Sequence, residues 1–394
     1  MINNYNSINS ISSNNSNNYI KTFFTNIYYY IKKRLNGSGY SNDRELGDKF
    51  SEAFNEYKMK YSEKINFHIK EPYNEKFGLI NLLNDCYIIS FLQILFHTPH
   101  FLETLKKLDI SKNENIAKYL LLVSEYPFNA EYFLKLKQLL GIINPEYSKA
   151  YSNDSQEFGI DLINYLISET NKSFEESSEI MSDFRNEDIN VIKKNAFNQF
   201  NNIKKELTGL EELFLFNQVD IYCKVNGHKA QISSNLHIEL TLQKTNSDFV
   251  VIEDLLHDKY NMNNSELKPN QIIIKSKLIS LPKILIISIN RVLNNEKINN
   301  ISIEFEEILE LKKNKLIDCD LFDDKNKKTT YYLYAINECI HSRGFNRYYS
   351  HNICYIKIKN EWFQFDDSKI PEKRNFKNKM KSGSVVGLFY IREL

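Results

Sequence analysis

The spacing of apolar and polar positions changes about half-way along the chain. Between residues 77 and 167 apolar side chains recur mostly at helical intervals, whereas after Leu213 they fall in short runs of strand-forming residues. A helical half followed by a strand-rich half predicts an α+β fold. The strand-like runs, many of them separated by turn residues, are Gln271–Ile274, Ile284–Ile287, Tyr331–Ile336 and Asn352–Ile358.

A polar tract and two further helical patterns precede this region. Residues 1–18 are rich in Asn and Ser and have too few apolar side chains to offset chain entropy, so we expect a disordered tail. Residues 19–75 carry two amphipathic patterns, which we interpret as a helical N-terminal extension. The first pattern ends in a basic run at 32–34 and favours docking on the main domain. Contact of this helix with a partner or a membrane surface is the alternative.

Composition then limits the class of protein. The chain has 394 residues, of which 42% are hydrophobic and 26% charged, and its formal net charge is +1. These values suit a globular domain, and so small a charge gives no global field for nucleic acid, which we do not expect as a partner. The five cysteines are too few and too widely spaced for a disulfide framework. We find no secretory signal and no apolar stretch of membrane-spanning length, and therefore predict an intracellular protein of the cytoplasm, the nucleus or both.

The most informative segment runs from Gly78 to Gln93. A polar loop ends at Asp85 and a strongly apolar helical run begins at Cys86, with Asn84 or Asp85 as its expected cap. This pattern predicts a cysteine in the first turn of a buried helix. There the helix dipole and the free N–H groups favour a thiolate, the reactive form of cysteine. The amide of Asn81, five positions upstream, is a candidate donor to an oxyanion.

A second segment, nearer the C-terminal end, has the pattern of a β-hairpin with its turn near Asn360. In that register Asp366 lies opposite residues 353–354 and diagonal to His351, a distance that long side chains can bridge. The hairpin therefore predicts a His–Asp pair. A cysteine nucleophile needs such a pair, since a base must accept the thiol proton and another group must orient the base.

These two segments resemble the cysteine and histidine boxes of the ubiquitin-specific protease family. The family's cysteine box reads Gly-Leu-x-Asn-x-Gly-Asn-Thr-Cys-Tyr-x-Asn-Ser-x-Leu-Gln, and its histidine box leads from Gly-His-Tyr to Trp-x-x-Phe-Asp-Asp. The positions that match the first box are Gly78, Leu79, Asn81, Asn84, Cys86, Tyr87, Ser90, Leu92 and Gln93. The resemblance implies a papain-like thiol protease. Its implied catalytic residues are Cys86 as nucleophile, His351 as base, Asp366 as orienter, Asp367 as auxiliary acid and Asn81 as oxyanion donor.

The resemblance extends over about 76–394 and implies thumb, fingers and palm subdomains. We place the helical thumb at about 76–210, the fingers at about 211–275 and the palm at about 276–394. Ubiquitin or ubiquitinated proteins are the implied partners. In the family one helix offers acidic groups to the basic tail of ubiquitin, and residues flanking the base line the slot for its Gly-Gly end. The corresponding substrate-binding residues here are Asp154, Glu157, Ser350 and Asn352.

The fingers of this family usually bind zinc through two Cys-x-x-Cys pairs. Here the first pair is reduced to Cys223, followed by His228, and the segment from Lys268 to Lys277 contains neither Cys nor His. A structural zinc needs four nitrogen or sulfur ligands. We therefore predict no metal and no other cofactor.

Four departures from the family pattern bear on activity. Leu83 and Asp85 replace Gly and Thr near the nucleophile, while Ser350 and Asn352 replace Gly and Tyr beside the base. A bulky Leu83 would crowd the oxyanion loop, and the charge of Asp85 would oppose a thiolate. We therefore predict a deubiquitinase with slow turnover. Two alternatives remain, a ubiquitin-binding pseudoprotease that acts as a scaffold and a protease for a ubiquitin-like modifier.

Overall fold

The computed structural model describes most of the chain beyond residue 77. The described residues are 78–82, 84–108, 115–170, 180–181, 186–203, 209–224, 227–242, 247–260, 273–292, 298–311, 315–322, 328–344, 347–376 and 379–393. The expected tail at 1–18, the expected extension at 19–75 and Leu83 lie outside these residues.

Helices fill the first half, as the apolar spacing predicts. The helix that begins at Cys86 is buried along its whole length, because nearly every position in it is apolar. No described helix is both long and apolar enough to cross a membrane. The described α-helices are α1 (Cys86–Phe96), α2 (Phe101–Lys106), α3 (Ile116–Glu125), α4 (Ala130–Leu140), α5 (Ser155–Thr170), α6 (Ile189–Ile203), α7 (Leu210–Phe214) and α8 (Ile252–Tyr260).

Strands dominate the second half and form three sheets, which confirms the predicted α+β class. Eight strands form the main sheet in the order β13-β12-β11-β10-β15-β7-β4, with β9 also paired to β10. A second sheet has the order β1-β3-β2-β6 and a third the order β14-β8-β5. The strands are β1 (Ile180–Met181), β2 (Phe216–Lys224), β3 (Gly227–Asn235), β4 (His237–Thr241), β5 (Phe249–Val251), β6 (Ile273–Leu278), β7 (Ile284–Asn290), β8 (Ser302–Glu306), β9 (Ile308–Glu310), β10 (Thr330–Gly344), β11 (Arg347–Ile358), β12 (Glu361–Phe365), β13 (Glu372–Arg374), β14 (Lys379–Ser382) and β15 (Val385–Arg392).

The main sheet is covered on both faces. In strand β7, Ile286 packs into a core with α1 and α5, whereas the neighbouring Leu285 packs into a second core with α8. Successive side chains of a strand point to opposite faces, so a strand covered on both sides is apolar at consecutive positions. This burial explains the uninterrupted apolar run that predicted the strand.

The second sheet has a core of its own, which includes helix α6. Ile192 and Phe200 of α6 pack with Val219 and Ile232 of the sheet. Helix α6 lies within the segment that we assigned to the thumb, yet it packs on the sheet that contains the expected fingers. The proposed subdomain limits stay predictions.

The hairpin predicted near the C-terminal end is confirmed. Strands β11 and β12 are joined by Lys359 and Asn360, whose φ angles of 51° and 66° are those of a tight two-residue hairpin turn. Phe365, the last residue of β12, pairs with Cys354. The next residue, Asp366, therefore lies on the same side of the hairpin as His351.

A close approach of α5 to α1 generates the first prediction. A Cβ atom at Gly159 would overlap the ring of Phe91, so there is no room for a side chain between these helices. We expect Gly159→Ala to lower the free energy of unfolding by about 1–3 kcal/mol, the usual effect of overpacking. Chemical denaturation measures this change.

The matched control for this prediction is Gly159→Ala combined with Phe91→Leu. The smaller Leu makes room for the methyl group, so adding Gly159→Ala to Phe91→Leu should lower stability by less than adding it to the wild type. Equal losses in the two backgrounds would show that the ring of Phe91 does not set the spacing of the helices.

Candidate active site

The site begins at the N-terminus of α1, where Cys86 is the first helical residue and its side chain is buried. Asp85 stands at the N-cap position, but its side chain makes no capping hydrogen bond. Lys137 of α4 donates to the Asp85 carboxylate instead, and both side chains are buried. Asn84 does not cap the helix either, since its amide donates to the Ala150 carbonyl at 3.0 Å. The predicted cap is therefore wrong.

This ion pair changes the electrostatic role that we expected for Asp85. The pair is neutral overall, so Asp85 does not face Cys86 as an unbalanced negative charge. Lys137 thus balances the charge that we expected to oppose a thiolate, and the effect of Asp85 on Cys86 stays a prediction. The sequence did contain a signal, because Lys137 shares a face of α4 with the buried Phe133 and Leu140. A lysine at such a position needs a buried partner, but its spacing within α4 cannot identify that partner.

The predicted His–Asp pair is present. His351 Nε2 lies 2.7 Å from Asp366 Oδ1, and Lys369 Nζ donates to the other oxygen of Asp366 at 2.5 Å. The hydrogen bond to Asp366, followed by one to the Cys86 thiol, raises the pKa of His351 to about 10. The same bond to His351 lowers the pKa of Asp366 to about 2. Because Asp366 occupies Nε2, the other ring nitrogen, Nδ1, remains for Cys86.

Asn81 and Asp367 connect the two segments. The side-chain oxygen of Asn81 accepts from the backbone N–H of Asp85 at 3.3 Å, and its amide donates to the Asp367 carboxylate. Burial nevertheless raises the pKa of Asp367 above its ordinary value. A Cβ at Gly78 would overlap the backbone oxygen of Asp367, so only glycine fits there. Contacts at both ends of the Asn81 amide therefore fix its orientation.

The four predicted substrate-binding residues meet in one cavity of about 740 Å³. Asp154 lies at its wall and also caps α5, since its carboxylate accepts from the N–H groups of Gln156 and Glu157 at 2.6 and 3.1 Å. Burial, together with the nearby Asp161 and Asp154, raises the pKa of Glu157. The sequence reasoning missed two further acidic residues of this wall, Asp161 and Glu239.

The cavity comes close to Cys86 at Asn352. Asn352 lines the cavity, and its Nδ2 lies 3.8 Å from Cys86 Sγ. Ser350, on the other side of His351 in the sequence, shares a hydrogen bond of 3.0 Å with Ser152. The structure thus brings every predicted site residue into one connected region.

Cys223 and His228 are what remains of the zinc-binding pattern that is usual in the family. Cys223 and His228 are paired across strands β2 and β3, but no third ligand accompanies them among the described residues. The described part of the chain has one group of three possible ligands, which is His351 with Asp366 and Asp367. A hydrogen bond already joins His351 to Asp366. The absence of a metal stays a prediction.

Comparisons with known proteins place this architecture among ubiquitin hydrolases. The family model described as ubiquitin carboxyl-terminal hydrolase matches residues 77–390. Among solved structures, the chain is similar to the SAGA Ubp8/Sgf11/Sus1/Sgf73 DUB module bound to ubiquitin aldehyde, with 18% identity and a TM-score of 0.57 over 88% of this chain and 76% of that chain. The chain is also similar to the yeast SAGA DUB module with a variant Sgf73, with 18% identity and a TM-score of 0.57 over 88% of this chain and 75% of that chain. At 18% identity, the similarity to these structures shows the fold alone. No curated protein sequence matches the chain.

The buried ion pair generates the second prediction. Asp85→Thr, which restores the family residue, removes the carboxylate from the buried Lys137 ammonium. Breaking a buried pair in this way lowers the free energy of unfolding by about 3–5 kcal/mol. Adding Lys137→Leu should recover much of the loss, because an apolar pair often replaces a buried ion pair without penalty. Chemical denaturation of the three proteins measures both effects.

The control for this prediction is an exposed ion pair. Lys328 and Glu393 lie 2.8 Å apart at the surface, so Glu393→Thr should change stability by less than about 1 kcal/mol. If Asp85→Thr were equally mild, the ion pair would not hold the loop before α1.

The third prediction concerns the proton on His351. Its raised pKa means that the ring stays protonated to about pH 10, so the stability linked to this proton is complete below the ordinary value of 6.5 and is lost as the pH rises through about 10. Asp366→Asn removes the largest cause, and the His351 ring should then titrate at markedly lower pH. NMR titration of the ring measures the shift, with His237 as the internal control. An unchanged His351 titration would contradict the pairing.

Proposed function

The chain belongs to the ubiquitin carboxyl-terminal hydrolase family, and we propose that it is a deubiquitinase that hydrolyses the bond after the C-terminal Gly of ubiquitin. One observation carries this proposal. Cys86, His351 and Asp366 come together although they lie at opposite ends of the matched region, and Asn352 connects Cys86 to a cavity lined by acidic residues.

The first step is activation of the nucleophile. His351 Nδ1 accepts the proton of the Cys86 thiol, and Asp366 holds the resulting imidazolium through Nε2. A base whose pKa is raised to about 10 retains this proton at neutral pH, which favours the thiolate–imidazolium form. The position of Cys86 at the start of α1 favours the same form, because the N-terminal end of a helix is positive.

The thiolate then attacks the carbonyl carbon of the terminal Gly. Asn81 is the proposed donor to the oxyanion. One N–H of its amide binds Asp367, and its oxygen binds the Asp85 N–H, so the remaining N–H has a fixed direction. His351 gives its proton to the leaving amine as the C–N bond breaks. It next removes a proton from water, which attacks the thioester and releases ubiquitin and the Cys86 thiol.

The substrate tail occupies the cavity in this proposal. Asp154, Glu157 and Asp161 place negative charge along one side, which complements a basic peptide. Ser350 and Asn352 lie at the end of the cavity nearest the nucleophile, where a tail that ends in small residues would pass. Their positions in the cavity support a substrate-binding role for the four predicted residues, Asp154, Glu157, Ser350 and Asn352.

The ion pair of Asp85 bears on the choice between enzyme and scaffold. One of the two reasons for expecting slow turnover was the charge of Asp85, and Lys137 balances it. The hydrogen-bonded His351–Asp366 pair beside Cys86 also favours an active protease over a scaffold.

The test uses ubiquitin with a C-terminal electrophile and a fluorogenic ubiquitin amide. We expect the wild type and Cys319→Ser to form a covalent adduct and to release the fluorophore, and Cys86→Ala to do neither. Cys319 is an exposed free cysteine, which makes it the matched control. His351→Gln should reduce hydrolysis by about 10²–10⁴-fold, as expected for loss of a general base.

Two outcomes would contradict the assignment. Hydrolysis that survives in Cys86→Ala would show that another group is the nucleophile. Ubiquitin binding without adduct or hydrolysis in the wild type would identify a scaffold. If the wild type neither binds ubiquitin nor reacts with it, parallel reactions with ubiquitin-like modifiers that bear the same electrophile would test the remaining alternative, a protease for such a modifier.

A further inference from the structure

Asn352 stands between the cavity and the nucleophile. It follows His351 on strand β11, is paired with Cys339 across the strands and is only 2% exposed. Its Nδ2 lies 3.8 Å from Cys86 Sγ, within the range of an N–H···S hydrogen bond. Because α1 packs against β11, Cys86 meets two consecutive residues of that strand, the base and this amide.

The other end of the amide is without a hydrogen bond. Asn352 Oδ1 is buried and has no hydrogen-bond partner among the described residues. An unsatisfied buried acceptor is unfavourable and uncommon, so its presence needs an explanation, of which a catalytic role is one. The contact that the structure shows for this amide is the one with the Cys86 sulfur.

The strength of that contact depends on the charge of the sulfur. A thiol sulfur is a weak acceptor, whereas a thiolate carries a full negative charge and accepts a charge-assisted hydrogen bond. An N–H donor at this position therefore stabilises the ionised form more than the neutral form. The helix N-terminus and His351 act in the same direction.

We propose that Asn352 is a further catalytic residue, whose Nδ2–H group donates to the Cys86 thiolate and increases the fraction of the reactive form. This inference rests on the proposed function for the identity of the nucleophile, and it adds a role to the substrate contact expected for Asn352. The amide reaches the sulfur directly and so acts on the reacting atom itself.

Several other charged and titratable groups surround Cys86, and a test of Asn352 must leave these groups unchanged. His351 lies on β11, Tyr87 on α1, and Cys339 on β10. Asp85 is balanced by Lys137 of α4. The nearby carboxylates are Asp366 and Asp367, which adjoin His351, and Asp154, which adjoins Cys339.

The experiment measures alkylation of Cys86 by iodoacetamide from pH 5 to 9, read by mass spectrometry of the peptide that contains it. Asn352→Leu removes the donor at similar volume, and Asn352→Asp replaces the donor with an acceptor of the same shape. We expect the rate profile of Asn352→Leu to move upward by about one pH unit, which makes alkylation about tenfold slower at pH 6. Asn352→Asp should move it further.

Asn217→Leu is the matched control, because Asn217 is also a buried amide but lies in strand β2 and bonds to Ser234. It should leave the Cys86 profile unchanged. Profiles of Asn352→Leu and Asn352→Asp that coincide with the wild type, in protein shown to be folded by thermal unfolding, would overturn the inference. So would an equal shift in Asn217→Leu, since the effect would then come from general destabilisation.

The readout does not involve ubiquitin, which separates the two proposals. A shifted profile in a protein that fails to react with ubiquitin substrates would support the role of Asn352 and reject the deubiquitinase. An unshifted profile in an active deubiquitinase would reject only the role of Asn352.

Discussion

Helix α1 is the element on which the site depends. It is buried along its whole length, with strand β11 on one side and α5 on another. This packing brings Cys86, the first residue of the helix, to His351 on β11, although 265 positions separate the two residues in the chain. Without the apolar sequence of α1, neither Cys86 nor the loop before it would have a fixed position. The absence of a side chain at Gly159 lets α5 approach Phe91 and completes the enclosure.

Much of the fold, and the pairing of His351 with Asp366, could be predicted because the sequence patterns that indicate them are local. Strand β7 is apolar at consecutive positions, and the hairpin places Asp366 beside His351 through a turn of two residues. Helix α1 likewise begins where its apolar run begins. In each case neighbouring residues determine the geometry, so spacing along the chain is sufficient.

Contacts between distant segments could not be predicted in the same way. Lys137 meets Asp85 across 52 positions, and nothing in the spacing of either segment links them. Helix α6 shows an amphipathic pattern, but the pattern does not say which sheet it covers. The approach of Asn352 to Cys86 also depends on how α1 packs on β11. The contacts of Lys137 with Asp85 and of Asn352 with Cys86 determine the electrostatics of the site, which is why sequence spacing located the site better than it described its charge.

The separate core of the second sheet has a thermodynamic consequence. Helix α6 and strands β2 and β3 share apolar contacts that belong to neither of the two cores flanking the main sheet. Regions with their own contacts commonly open as cooperative units at free energies below that of global unfolding. The second sheet would then exchange its amide hydrogens through a local opening, while α1 and β11 remain closed. Mutations in the second sheet would then change its surface without disturbing the contacts between α1 and β11.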